Sequence, residues 1–360
     1  MMRESMSATP IKVAIAGVTA YTGQEAARLI AGHPAFTLVS ASSDAMAGRR
    51  VNALLPDLGD DGDALIVGHG DAAMAAKDHC AELAFLATPP KRCAQLSAEL
   101  IAAGIRVVDL SGAHRLKDLD AHLAAYGTPR ESPNEALYGL SEWAEAQAMR
   151  DASLVANPGG FPCAALLALI PLQRAGLVGK RLIVDAKCGT TGAGRSAKLS
   201  LLHSELYDDV HSDRVGCPRH TPEIVQGLKE HGAHEIALTF AAHLLPVARG
   251  ILCTIYIDLP FECDAIESGK RAQQCLREAY TNAPFIRILE RPEDVHLSDV
   301  IRTNRCLIGV SGDPHGQRLV LTSALDNLVK GGAGQAIQNA NLMCGFEATL
   351  GLELGAGGRP

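Results

Sequence analysis

The sequence lacks an apolar run long enough to cross a bilayer. Its longest runs, such as Ala164 to Leu172, stop well short of the roughly 20 residues a spanning helix needs, so no membrane association is expected. It also lacks a basic surplus: the formal net charge is −7, with no basic stripe and no aromatic run on which bases could stack. A nucleic-acid partner is therefore not expected either. None of the ten cysteines (Cys80, Cys93, Cys163, Cys188, Cys217, Cys253, Cys263, Cys275, Cys306 and Cys344) stands in a Cys-x-x-Cys pair. Most occupy apolar contexts and read as small buried hydrophobes, so neither a metal site nor a disulfide framework is expected. A reduced, cytoplasmic compartment follows. Met1–Pro10 has mixed charge and no apolar core, which makes it a loose lead-in and not a signal peptide.

What is present is a chain of 360 residues, 47% hydrophobic and 20% charged, the balance of a globular protein too long for one ordinary core. Ile11–Ala16, Leu38–Ser42, Leu83–Thr88 and Arg106–Leu110 read as short strands, with helical patterns at Gln24–Gly32 and Ala94–Ala103. That alternation predicts a Rossmann-type, doubly wound parallel sheet over residues 1–155. From Leu182 the texture changes: Leu182–Lys187, Glu235–Ala241, Gly250–Asp258 and Leu319–Ala324 read as longer strands between polar loops. An α+β domain with a mostly antiparallel sheet is expected over 156–325. Residues 326–360 carry a last helical stretch, Gly334–Cys344.

Gly17-Val18-Thr19-Ala20-Tyr21-Thr22-Gly23 lies between the first strand and the first helix, where a dinucleotide fingerprint belongs. Gly17 allows the tight turn, Gly23 lets helix pack on strand, and Ala20 is small enough to admit a pyrophosphate. Cofactor contacts are expected from Gly17, Thr19, Ala20, Tyr21, Thr22, Gly23 and, at the end of the second strand, Ser42. An acid at Asp44 favours a ribose 2′-hydroxyl and so NAD, whereas Arg49 and Arg50 could meet the 2′-phosphate of NADP if their loop folds back. Pro158-Gly159-Gly160 leads into a long apolar run, which puts that turn at a helix N-terminus, a place that favours a thiolate or an oxyanion. The glycine- and hydroxyl-rich loop Asp185–Arg195 carries Lys187 and Arg195 and suits a small, doubly anionic ligand.

Asn157-Pro158-Gly159-Gly160-Phe161-Pro162-Cys163-Ala164 resembles the active-site signature of the N-acetyl-gamma-glutamyl-phosphate reductase family, Asn-Pro-Gly-Cys-Tyr/Phe-Pro-Thr-Ala. Further blocks resemble the same family in order: the glycine turn, Asp109–Leu116, Asp185–Arg195, Arg219–Ile224, His243–Gly250 and Asp326–Asn339, so that the resemblance runs from about Ile11 to Leu352. It implies a nucleotide-binding domain to which the terminal helix returns, a substrate and dimerisation domain, and a homo-oligomer, dimer or tetramer. It implies NADP as cofactor, although Asp44 stands where the family commonly has arginine. His220 falls on the catalytic histidine, Arg115 on a substrate-anion position, and Asn327, Gly334 and Gln338 near the nicotinamide. The implied reaction is NADPH-dependent reduction of N-acetyl-glutamyl 5-phosphate through a cysteine thioester, in arginine biosynthesis. Aminoadipyl or aspartyl phosphates are the related substrates.

Gly160 stands where the family has its nucleophile, and three readings stay open. Cys163, one helical turn on, takes over; Cys188, in place of a family serine, supplies the thiol; or the chain is a catalytically silent NADP-binding homologue.

Overall fold

The computed structural model describes residues 9–130, 136–213, 215–216 and 219–352. Cys217, Pro218 and all but the end of the lead-in lie outside the described residues. The chain divides into two compact units. One holds the described residues up to Leu119, Thr128–Pro158, and those from Gly332 onward; the other holds Asp120–Gly127 and Gly159–Gly331.

The first unit is built on a seven-stranded sheet of β1 (Ile11–Ala16), β2 (Phe36–Ser42), β3 (Ile66–Val67), β4 (Leu83–Leu86), β5 (Arg106–Asp109), β6 (Leu137–Tyr138) and β7 (Leu154–Ala156). Its order is β3-β2-β1-β4-β5-β7-β6, and every pairing is parallel. This is the Rossmann-type sheet expected from the alternation, and its order reverses between β1 and β4, where ligands of such sheets bind. Helix Tyr21–Ala31 buries Gly23, Ala26, Ala27 and Ile30, an i, i+3, i+4, i+7 face laid on the sheet. Helix Gly334–Met343 is buried on nearly every side, so its polar groups need partners inside the unit. Asn339 Nδ2 donates to Gly139 O (2.8 Å) and Asn157 Oδ1 (2.9 Å), and Arg106 Nη1 caps the helix at Met343 O (2.7 Å).

The second unit carries β8 (Arg181–Cys188), β9 (His211–Ser212), β10 (Ala237–Leu244), β11 (Ile251–Asp258), β12 (Ile286–Ile288), β13 (Cys306–Asp313) and β14 (Arg318–Leu325), in the order β12-β13-β14-β11-β8-β10-β9. Four pairings are antiparallel; β8 with β10 and β12 with β13 are parallel. The sequence reading missed β13, where Gly309 and Gly312 weaken the strand pattern. The structure shows why they are there: a Cβ on Gly312 would collide with Ala265 O, and one on Gly269 would lie 2.4 Å or so from the strand at Gly312 N, so helix Ala265–Ala279 packs backbone to backbone on β13.

Helix Gly160–Arg174 is buried from Pro162 to Leu172 and contains Pro171. A proline cannot donate to the carbonyl four residues back, which here is Leu167 O. Tyr280 Oη fills the gap with a 2.6 Å hydrogen bond to that oxygen. Tyr280→Phe should therefore lower stability by about 1–3 kcal/mol, because a buried carbonyl is left without its donor. Chemical denaturation would measure it, and an unchanged midpoint would contradict the account.

Candidate active site

In the first unit the turn after β1 is shaped for an anion. Gly17 has φ +88°, and a Cβ there would stand 2.6 Å from Ala87 O, so no other residue fits without strain. The N–H groups of Gly17 and Val18 both donate to Ser42 O (3.0 and 3.1 Å), which pins the turn to the end of β2. Helix Tyr21–Ala31 then starts with no side-chain cap from Ala20 and no acid in its first turn. Its first N–H groups and dipole suit a pyrophosphate. Thr19 Oγ1 shares a 3.0 Å hydrogen bond with Ser43 Oγ, and Ser42 Oγ one of 2.9 Å with His69 Nδ1. Thr19, Ala20, Tyr21, Thr22, Gly23 and Ser42 are thus gathered with Gly17 at one edge of the sheet. Gly17→Ala is expected to cost about 1–3 kcal/mol of stability and to weaken dinucleotide binding sharply. Thermal unfolding and fluorescence titration would check both, and undisturbed binding would argue against the turn as the cofactor site.

Asn327 is a residue that the resemblance puts near the nicotinamide. It belongs to the second unit, where its Oδ1 accepts from Gly250 N (2.7 Å) and its Nδ2 donates to Thr191 Oγ1 (3.0 Å). The structure gives it the task of tying the loop after β8 to the turn before β11. Gln338 lies in the first unit with its Nε2 on Glu142 Oε1 (3.1 Å). Of the two loop cations, Arg50 is bound to Asp63 Oδ2 (2.7 Å), while Arg49 is exposed.

The second unit assembles the reactive groups. Gly160 is the first residue of its helix and half-buried; a Cβ built there would lie 2.9 Å from Ile251 Cδ1 and 3.3 Å from Gly331 O. Cys163 lies inside the first turn. Its N–H already donates to Gly159 O (2.8 Å), its side chain is fully buried, and its Sγ rests 3.7 Å from Lys330 O. The expectation that Cys163 replaces the missing nucleophile meets a plain obstacle, because the helix geometry turns that thiol into the core. Cys188 is different. It is the cross-strand partner of Ile251, the residue that abuts Gly160, and side chains opposite one another in a sheet share a face. Its exposure is 6%, and the loop closes over it at Gly192.

His220 immediately precedes helix Thr221–Glu230. Its half-buried ring lies 5.0 Å from the Phe161 ring and 5.4 Å from that of Phe240, and the two phenyl rings meet edge-on. Phe240 pairs with Val184, so alternation along β8 places His220, Phe240 and Cys188 on the same side of the sheet. Two residues here escaped sequence reasoning. Glu223 is fully buried, and its Oε1 accepts from Gly159 N at 2.8 Å, which locks the histidine's helix to the start of helix Gly160–Arg174. Its sequence signals were an acid in a helix first turn and a place in the Arg219–Ile224 block, neither of which gave it a role. Ile251 gave no signal, since its role depends on strand register.

Of the expected anion-holding cations, Lys187 is turned away from the face that carries Cys188, one residue along the strand. Its Nζ pairs with Asp185 Oδ2 (2.9 Å); His243 Nδ1 stands 3.1 Å from Asp185 Oδ1. Arg195 is exposed beyond Gly194. Arg115 belongs to the first unit and donates to Asn157 O (2.8 Å) and Leu110 O (2.7 Å), joining the ends of β5 and β7. Beside it, His114 bonds Asp109 Oδ2 at 2.9 Å and Ser97 Oγ at 3.2 Å, a packing role. Burial alone would raise the Asp109 carboxyl, but the His114 ring and the Ser111 hydroxyl and N–H outweigh it and hold it below the ordinary value. A lowered folded-state value means stability that is present above the unfolded value, about pH 4, and lost as pH falls through the folded one. Asp109→Asn should flatten the fall of stability below about pH 4; an unaltered acid-unfolding slope would contradict this.

No group of three or more His, Cys, Asp or Glu that could hold a metal ion occurs among the described residues. No helix among them is long and apolar enough to cross a membrane. The family model described as semialdehyde dehydrogenase, NAD binding domain, matches residues 12–152, and that described as semialdehyde dehydrogenase, dimerisation domain, matches 160–327. An N-acetyl-gamma-glutamyl-phosphate reductase of Bacillus cereus is 38% identical over 351 residues, covering 95% of this chain and 98% of its own. A protein of the same name from Marinobacter nauticus is 39% identical over 346 residues, with the same coverage of 95% and 98%. Among solved structures, aspartate semialdehyde dehydrogenase II from Vibrio cholerae aligns with TM-score 0.69 and 17% identity over 94% of this chain and 99% of that one. The aspartate semialdehyde dehydrogenase of Candida albicans, solved with NADP, aligns with TM-score 0.64 and 14% identity over 93% and 99%. At those identities the two structures speak for the fold alone.

Proposed function

The chain belongs to the N-acetyl-gamma-glutamyl-phosphate reductase family, and on that premise we propose that it reduces N-acetyl-glutamyl 5-phosphate to the 5-semialdehyde with NADPH. This is the arginine-biosynthesis step, run through a cysteine thioester in the cytoplasm. The observation that carries the reading is a match spanning 95% of the chain at 38% identity. The uncapped helix start at the Gly17 turn fits the pyrophosphate of a dinucleotide.

Within the second unit we assign the thiol to Cys188 and the proton-handling group to His220. His220 takes the thiol proton, sulfur bonds to the acyl carbon, and the carbon–oxygen bond to phosphate breaks as phosphate leaves. Bound NADPH supplies the hydride that reduces the thioester carbon. The oxyanion that results is stabilised by the His220 imidazolium and by main-chain N–H groups at the start of helix Gly160–Arg174. When the carbon–sulfur bond breaks the aldehyde departs, and His220 returns its proton to the thiolate. Arg195, on the loop that follows Cys188, is assigned to the anionic substrate. Gly160 favours a second reading, a silent homologue that binds NADP and reduces nothing.

The test is the reverse reaction: N-acetyl-glutamate semialdehyde, phosphate and NADP⁺ followed at 340 nm, with a known reductase run alongside. No turnover by protein that still binds NADPH would sink the proposal and leave the silent homologue standing. The match to a dimerisation domain also supports a homo-oligomer, and a monomer mass by light scattering would rule that out.

A further inference from the structure

A preference for NADP needs positive charge beside the adenosine ribose, and the sequence places Asp44 there. We propose that Arg92, held in position by His69, supplies the charge that recognises the 2′-phosphate; the inference rests on the NADP reading above. β1, β2 and β4 are parallel neighbours, so their C-terminal ends share one edge of the sheet with the Gly17 turn. The connection from β4 leads at that edge into helix Pro90–Ala102, with Arg92 in its first turn. Arg92 Nη2 donates to His69 O. His69 in turn holds the end of β2 twice, through its ring Nδ1 on Ser42 Oγ (2.9 Å) and its N–H on Asp44 Oδ1 (2.7 Å). The sequence Arg92, His69, Ser42 therefore carries a guanidinium to the strand end where the ribose lies in such folds.

The surrounding charges are mixed, because two carboxylates that would repel a phosphate stand close by. Asp44 and Asp71 both lie near Gly68, and one oxygen of Asp44 is taken by the His69 N–H. Among the described residues the ion-pair partner of Arg92 is Glu99, at a loose 4.0 Å from Nη1. Arg50 is engaged by Asp63, which removes one of the two cations that the sequence offered for this task. A planar guanidinium forks onto phosphate oxygens, so one well-placed arginine is enough to distinguish the two ribose forms.

Binding of 2′,5′-ADP and of 5′-AMP to the free protein, by calorimetry, separates the phosphate from the rest of the cofactor. Wild type should prefer 2′,5′-ADP. Arg92→Gln should lose about tenfold or more of that preference with 5′-AMP affinity unchanged, which also reports an intact fold. Arg49→Gln should keep the preference, and Arg92→Lys should keep part of it should the glutamine variant fail to fold. Full preference in either Arg92 variant lacking the fork, or its loss in Arg49→Gln, would overturn the inference. Equal binding of both probes by wild type would overturn the NADP reading itself, and this inference with it.

Discussion

Cys188→Ser is expected to lower turnover in the reverse assay by about four to six orders of magnitude, since removal of a covalent nucleophile costs up to about 10⁶-fold. Cys163→Ser should stay within a few-fold of wild type, because its thiol is fully buried in the first turn of its helix. A serine at 188 keeps nearly the same volume, so folding is not the issue. The contrast follows from register: Cys188 stands opposite Ile251 in the sheet, and Ile251 Cδ1 occupies the approach to Gly160. Gly160→Cys in the Cys188→Ser background should then recover activity by tenfold or more, an order-of-magnitude expectation for a thiol returned to a helix N-terminus. The new Cβ would meet the far end of the Ile251 side chain at 2.9 Å, where a rotamer change makes room, and Gly331 O at 3.3 Å, where the backbone must give by a few tenths of an ångström. If Cys163→Ser is the variant that loses turnover, Cys188 is the wrong thiol.

His220→Asn should lower kcat by about a hundred- to ten-thousand-fold while NADPH binding stays as it was. Asparagine keeps a polar group of moderate size beside Phe161 and Phe240, and so limits the cavity left by the imidazole. Glu223 fixes the position of this helix start through Gly159, so Glu223→Gln should reduce turnover less and destabilise the second unit more. A His220 variant of full activity would remove the histidine from the mechanism; a fall in NADPH binding would reassign it to cofactor positioning.

The nucleotide turn was legible because everything it requires is local: a strand, two glycines and a helix start within a few residues. β1, β2, β4 and β5 were found from the same local alternation. The second unit was less legible. Lys187 and Cys188 are neighbours in sequence, yet the pleat sends them to opposite faces, and only the pairing of β8 with β10 and β11 tells which face meets His220. β13 was hidden by glycines that a helix packs against, and the burial of Cys163 follows from where the first turn of its helix begins. Asn327 and Arg115 were placed by motif order, which carries no information on which of their bonds are spent inside their own unit.

The dependence of the first unit on helix Gly334–Met343 has a consequence for synthesis. Asn157 and Gly139 leave the ribosome long before Asn339, their hydrogen-bond partner, exists. At 5–20 residues per second the interval is roughly 9–40 s. Throughout it the nascent sheet holds polar groups at Gly139 and Asn157 without their final partners. Its folding is therefore completed from the far end of the chain, and a nascent chain stalled before residue 334 would be the form that most needs a chaperone.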